Sequence, residues 1–217
     1  MKPSASAGLF DHHAGGRSLR PAVRSSKGFS IMKKDRLETC IHEAGHAVFR
    51  MVVYGSPGRC AVFSEKVGGA GGICCGADDD PEQAAREVLD TEADFSHLKG
   101  DILACLNQAG LALSGAAAVA LWRGTAHLLP TCGGGNQADV QHAAEVCRLA
   151  FSENDHLLAD SFRLLAYRYA CAVLGRRMDA VLGIAEKLAE KGELSENEIG
   201  AIYADAISDK KENEAEQ

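Results

Sequence analysis

The sequence contains the motif His-Glu-x-x-His at residues 42–46, within the stretch IHEAGHAV. On an α-helix, side chains four residues apart lie on one face, so His42 and His46 can point at one metal ion. Glu43 directly follows the first histidine and can reach a water molecule bound to that ion. Zn²⁺ lowers the pKa of such a water, and Glu43 can take its proton during attack on a peptide carbonyl. The motif predicts zinc-dependent peptide hydrolysis with Glu43 as the base.

The residues around the motif have the spacing of a helix. Apolar side chains recur every three to four positions from Leu37 to Val52. Asp35 followed by Glu38 predicts a capping box at the start of this helix, and Gly55 predicts its end. The alternative is that two core histidines meet by chance. We favour a metal site, because a buried glutamate between two core histidines would be costly without a partner.

Length and composition limit the classes of function. The chain has 217 residues, enough for one domain with a sizeable core, and its apolar content of 46% and charged content of 24% are ordinary for a globular protein. A net charge of -7 argues against nucleic acid as a partner. The eight cysteines are not accompanied by a signal peptide. We expect reduced thiols and a cytoplasmic protein.

One stretch is long enough to cross a membrane. Residues 102–122 carry no charge, but Asn107, Gln108, Ser114 and several glycines and alanines make them only moderately hydrophobic. We therefore expect a buried core helix and no membrane association.

The pattern predicts a mainly α fold with a small β-hairpin. Residues 1–33 read as a disordered basic arm, 34–208 as the zinc-peptidase domain, and 209–217 as a charged, frayed tail. A glycine-rich turn at 68–72 predicts a hairpin between residues 59 and 75, whose exposed edge could hold an extended peptide or be purely structural. The later helices are expected near 81–90, 98–123, 136–151, 155–175 and 176–191, and after a capping box formed by Ser195 and Glu198. For the helix at 155–175 the predicted inward stripe is Leu157, Leu158, Phe162, Leu165, Tyr169 and Val173.

A third ligand is needed to hold zinc. The metzincin pattern would place Gly at 49 and His at 52, where this chain has Phe49 and Val52. A glutamate ligand of the thermolysin type would have to be Glu82 or Glu87. The segment that contains both has only a weak helical pattern, which argues against this type of site.

Three residues further along the chain remain as candidates for the third ligand. Asp139 follows a glycine-rich loop at a predicted helix start, so its carboxylate can approach closely, although an acid there also favours the helix dipole. His127 and His142 are the alternatives.

The chain resembles the peptidase domain of FtsH-type ATP-dependent zinc metalloproteases over about residues 35–207. The stretch HEAGHA at 42–47 matches the family's zinc-binding helix, and GNQADV at 135–140 is similar to the segment whose aspartate is the third ligand. The region from Leu182 to Ile199 is similar to the family's C-terminal helical pair. The resemblance implies that His42, His46 and Asp139 bind zinc and that Glu43 is the catalytic base.

The chain departs from this family in two ways. The family carries an ATPase domain and usually membrane anchors before the peptidase domain, whereas this sequence contains no Walker-type phosphate-binding loop. The family's Gly-Arg-Ala-Ala-Glu-Glu segment aligns with GAAAVA at 115–120, where the arginine and both acids are absent.

These features lead to one main functional expectation and two alternatives. We expect a stand-alone zinc endopeptidase that acts on unfolded polypeptides or short peptides, with a separate ATPase or a homo-oligomer as candidate assemblies. The first alternative is a non-catalytic relative that binds zinc or a partner and regulates another protease. A structural zinc domain is the third reading, but it would close the fourth coordination position with another Cys or His.

Overall fold

The chain folds around helix α1, which runs from Lys34 to Tyr54 and carries the His-Glu-x-x-His motif. The computed structural model describes residues 34–67, 70–90, 95–128, 137–151 and 155–215. The predicted basic arm at 1–33 lies outside the described residues. Parts of the glycine-rich turn at 68–72 and of the glycine-rich loop before Asp139 also lie outside them.

The described residues are mainly helical with one small antiparallel sheet, as the sequence pattern predicts. After α1 the elements are β1 (Arg59–Val67), β2 (Ala70–Cys75), α2 (Pro81–Asp90), α3 (Ile102–Arg123), α4 (Gln137–Leu149), α5 (His156–Gly175), α6 (Met178–Lys191), β3 (Glu193–Leu194) and α7 (Glu196–Ala215). The capping box of α7 is confirmed. The Ser195 N–H donates to Glu198 Oε2 at 2.9 Å, and the Glu198 N–H lies 3.4 Å from Ser195 Oγ.

The predicted hairpin is the larger part of a three-stranded sheet with the order β2-β1-β3. The strand β3 was not predicted, because two residues are too few to show an alternating pattern. One face of the sheet packs against α1 through Cys60, Val62 and Cys74. The other face carries Ala61 and its neighbours and packs against α2. The sheet is thus held between α1 and α2.

Helix α3 lies at the centre of the helical layer and packs against α1, α4 and α5. It begins after Asp101, whose Oδ1 accepts the Ala104 N–H at 2.9 Å, and ends at Gly124, whose φ of 73° is left-handed. A Cβ added to Gly45 of α1 would lie 2.6 Å from Ala118 Cβ and 2.8 Å from the Ser114 carbonyl oxygen. The small residue therefore allows α1 and α3 to cross at very close range.

By length and composition, α3 could cross a membrane, and it is the one such helix among the described residues. Within the fold, half of its most apolar 18-residue window is buried. Its middle section from Leu113 to Ala118 is fully enclosed, whereas Ile102 and Leu103 at its start are exposed.

Three local predictions are wrong. Helix α1 already includes Lys34, so Asp35 lies inside it, and Glu38 pairs with Arg123 at the end of α3 instead of closing a capping box. Helix α7 continues through Ala215, so residues 209–215 extend the last helix. On α5 the predicted stripe is wrong in part: Phe162 is buried and Tyr169 and Val173 pack against the core, but Leu157, Leu158 and Leu165 are exposed. The other buried residues of α5 are Ala159, Ala166, Tyr167, Ala170 and Leu174. The alanines face inward there because α5 packs closely against α3.

Candidate metal centre

The two histidines of the motif point to the same place, as their helical spacing predicts. Both project from α1, and their Nε2 atoms lie 3.1 Å apart. Their rings are 4.8 Å apart between centroids and nearly perpendicular, so the two nitrogens converge while the ring faces remain separate. Each side chain is largely buried, with 15% exposure for His42 and 12% for His46.

Asp139 reaches these nitrogens from the first turn of α4. Its Oδ2 atom lies 2.8 Å from His42 Nε2 and 3.5 Å from His46 Nε2. Val140 and Ala143 are buried in the common core, so the packing of α4 against α3 directs the start of α4 towards the histidines. The contact spans 97 positions in the sequence and exists only in the folded chain.

The other candidates for the third ligand lie elsewhere. His127 is exposed in the turn after α3, and the ring of His142 packs edge-on against Phe95. Glu82 is exposed and pairs with Arg86 at 3.1 Å. The side chain of Glu87 lies outside the described residues. Among the described histidines, cysteines and acids, only His42, His46 and Asp139 form a group that could hold a metal ion.

The spacing of the three atoms fits a zinc ion. Tetrahedral zinc with bonds of about 2.0–2.1 Å holds its ligand atoms roughly 3.3 Å apart. The observed separations are 2.8, 3.1 and 3.5 Å, so small side-chain adjustments would place all three atoms around one ion. Two imidazoles and one carboxylate are also a donor set that zinc accepts.

A second layer of contacts orients the His46 ring. Its Nδ1 lies 3.0 Å from the Leu111 carbonyl oxygen and 3.1 Å from Ser114 Oγ. The Ser114 hydroxyl donates to the same carbonyl at 2.6 Å, so it can accept from His46 Nδ1–H. A proton on Nδ1 leaves the lone pair on Nε2, the atom that faces Asp139.

The charges of the centre are strongly coupled. Burial alone would raise the pKa of Asp139, but the two histidines outweigh it and hold this pKa below its ordinary value. Burial would lower the pKa of His46, yet the Asp139 carboxylate raises it to about 9. A zinc ion would displace any proton held between these groups, since metal binding requires deprotonated ligands.

Glu43 lies on the side of α1 that faces the sheet. Its side chain is only 6% exposed, and burial raises the pKa of its carboxyl above the ordinary value, although the two nearby histidines oppose this. A Cβ added to Gly72 of β2 would lie 3.0 Å from Glu43 Cγ. The carboxylate is thus confined between the motif helix and the edge strand β2.

Gly115 provides the surface against which the His42 ring packs. A Cβ at this position would lie 2.5 Å from His42 Nε2 and 2.6 Å from both Cδ2 and Cε1 of the same ring. Such distances are far below van der Waals contact. Only glycine therefore leaves room for the ring between α1 and α3.

Sequence reasoning missed Ser114 and the Leu111 carbonyl as supporting groups. Ser114 is fully buried in the uncharged middle of α3, and an isolated hydroxyl in such a segment was the one available signal. Nothing in the sequence pattern could have identified the Leu111 carbonyl, because its role depends on how α3 crosses α1.

Comparisons with known proteins add no identification. No family model matches the chain, and no curated protein is significantly similar to it.

Proposed function

We propose that this chain is a zinc-dependent endopeptidase related to the peptidase domain of FtsH-type proteases. The observation that carries the proposal is the convergence of His42, His46 and Asp139 at zinc-like spacing beside the buried Glu43. The HEAGHA motif and the position of Asp139 in the first turn of a later helix support the kinship with this family.

In this proposal each residue has a separate role. His42 and His46 would hold the ion through their Nε2 atoms, and Asp139 through its carboxylate. When bound, zinc supplies Lewis acidity, which activates water and polarises a peptide carbonyl. Glu43 takes a proton from the attacking water and later passes it to the leaving amine. Burial raises the pKa of its carboxyl above the ordinary value, which makes the carboxylate a stronger proton acceptor.

The edge strand β2 suggests how a substrate binds. It pairs with β1 on one side, and among the described residues its other edge has no strand partner. An extended peptide could add to this edge by backbone hydrogen bonds, and Gly72 would bring it next to Glu43. Such binding requires an unfolded segment or a short peptide. We therefore propose unfolded polypeptides or short peptides as the substrate class. A separate ATPase could deliver these substrates, and the chain itself could act as a homo-oligomer.

We also propose a soluble, cytoplasmic protein in which α3 stays inside the fold. Half of the most apolar 18-residue segment of α3 is buried, and the helix crosses α1 at close range. Both observations support a position of α3 inside the fold. Fractionation of cells should leave the protein in the supernatant after high-speed centrifugation. A native protein that remains with membranes after a high-salt wash would contradict the proposal.

The proposed activity is tested with two substitutions measured side by side. Glu43→Gln preserves the shape of the side chain but cannot accept the proton, so cleavage of fluorescently labelled casein should fall about 10²–10⁴-fold. Zinc content should stay near that of the wild type, because Glu43 is not a ligand. Asp139→Asn should lose most of its zinc together with its activity. Glu145→Gln, an exposed change on α4, is the matched control and should behave as the wild type.

Two results would contradict the proposal. Cleavage that survives Glu43→Gln would mean that another base or a contaminating protease is responsible. A wild-type protein that holds zinc but cleaves no unfolded substrate, alone or with a candidate ATPase, would favour the non-catalytic relative that binds zinc or a partner.

A further inference from the structure

Two cysteines face each other across the hairpin beside the candidate metal centre. Cys60 of β1 and Cys74 of β2 are register partners in the antiparallel pair. Residues directly opposite each other in such a pair have Cα atoms about 4.5–5.5 Å apart, which lies within the range of a disulfide. Both side chains lie on the α1 face of the sheet, where Cys60 is fully buried and Cys74 is partly buried.

Neither thiol is bound to another sulfur. The Cys60 thiol lies 3.6 Å from the Glu43 carbonyl oxygen, to which it can donate. The Cys74 thiol donates to the Pro57 carbonyl at 3.5 Å. These hydrogen bonds are weak, so a bond between the sulfurs would displace little that stabilises the fold.

Cys75 is the natural comparison, because it is the next residue along β2. Successive side chains of a strand point to opposite faces, and Cys75 packs on the α2 face with Ala61 and Ile73. Its sulfur lies 3.8 Å from the Arg59 carbonyl oxygen. It therefore cannot replace Cys74 opposite Cys60 without a shift in register.

We propose that Cys60 and Cys74 are a modification site that forms a reversible disulfide on exposure to a peroxide. The more accessible Cys74 sulfur attacks one peroxide oxygen, the O–O bond breaks, and Cys74 becomes a sulfenic acid with release of water. The Cys60 sulfur then attacks Cys74 Sγ, the S–O bond breaks, and a second water leaves. Two thiols and one hydrogen peroxide thus give one disulfide and two water molecules.

The disulfide would join β2 to β1 next to the candidate base. Gly72 contacts Glu43 and lies two residues before Cys74, so the bridge holds the part of β2 that borders the carboxylate. In a reducing cytoplasm the pair stays as thiols, and the bridge forms during oxidative exposure. This inference concerns the sulfur chemistry alone and does not depend on the proposed peptidase activity.

The experiment treats the full chain with one equivalent of hydrogen peroxide, alkylates the remaining thiols and maps the peptides by mass spectrometry. Before alkylation, the intact protein should be about 2 Da lighter than the untreated protein. After alkylation, the peptide map should show one crosslink between the peptides that contain Cys60 and Cys74. Dithiothreitol should reverse both changes. Cys75→Ser should form the same crosslink, whereas Cys60→Ala and Cys74→Ser should not. The crosslink appears whether or not zinc is bound, so the result can be read even if the metal assignment fails.

Three outcomes would overturn the proposal. One is a crosslink that uses Cys75, and another is a bridge between two molecules. The third is addition of oxygen to Cys74 without a crosslink. Because Cys60→Ala could disturb the core, circular dichroism of each variant is compared with the wild type, and the mapped crosslink of the Cys75→Ser protein decides the matter independently of that variant.

Discussion

The contact between Gly115 and His42 leads to a sharp prediction about metal affinity. In Gly115→Ala the new Cβ would lie 2.5 Å from His42 Nε2. Ordinary contact needs about 3.5 Å, so the ring must move by about 1 Å. Metal sites tolerate errors of only about 0.2 Å in ligand distance. Loss of a partner that merely orients a ligand costs about 10–100-fold in affinity, so displacement of the ligand itself should cost about 100-fold or more, roughly 2.7 kcal/mol.

Helix propensity cannot produce this loss, because it acts in the opposite direction. Alanine in a helix interior is favoured over glycine by about 0.5–1 kcal/mol. The matched control is Gly175→Ala at the end of α5, where the added Cβ meets nothing closer than Leu121 Cδ2 at 4.0 Å. Its zinc affinity should equal that of the wild type.

The assay is competition for zinc between each protein and a chromophoric chelator at neutral pH. Circular dichroism first establishes that Gly115→Ala retains its helices. Zinc affinity equal to that of the wild type in a folded Gly115→Ala protein would refute the reasoning. It would mean that His42 is not a ligand or that α3 does not lie against its ring.

Other substitutions test the supports of the centre and of the fold. Ser114→Ala removes one of the two acceptors of His46 Nδ1–H. Zinc affinity should therefore fall about tenfold in the same competition assay. An unchanged affinity would show that the Leu111 carbonyl alone orients the ring. Leu113→Ala deletes a fully buried side chain of α3 and should lower the free energy of unfolding by about 2–5 kcal/mol in urea titrations; a loss under 1 kcal/mol would contradict its burial. The Lys191 ammonium and the Ser195 groups lower the pKa of Glu198 to about 2, so the stability from its charged form is present above the ordinary value of 4.5 and is lost as pH falls towards 2. Glu198→Gln should therefore flatten the dependence of unfolding on pH between about 5 and 2, and an unchanged pH profile would show that this ion pair contributes nothing.

The local features of this chain were readable from short stretches of sequence. The convergence of His42 and His46 follows from helical geometry alone, since residues four apart share a face. The α7 capping box also lies within one turn, and Ser195 and Glu198 make the expected contacts. The stripe on α5 was only half right, because the periodicity of apolar residues does not reveal which of two apolar faces meets a neighbour. Helix α5 packs closely against α3 with the face that carries its alanines, and Leu157 therefore remains exposed.

The sequence by itself determined the pair of candidate ligands in the HExxH motif and the neighbouring glutamate, because all three lie within five consecutive residues of one helix. Pattern and spacing left Asp139, His127 and His142 open as the third ligand, since they carry no information about contacts 97 positions apart, and the family resemblance alone indicated Asp139. The tertiary structure then brings Asp139 to the histidines, because α4 packs against α3 and the first turn of α4 meets them. The same packing brought Ser114 to His46 and Gly115 to His42. A ligand set of this kind is completed by the way helices pack, because the metal needs atoms about 3 Å apart and only the folded core can bring distant helices that close.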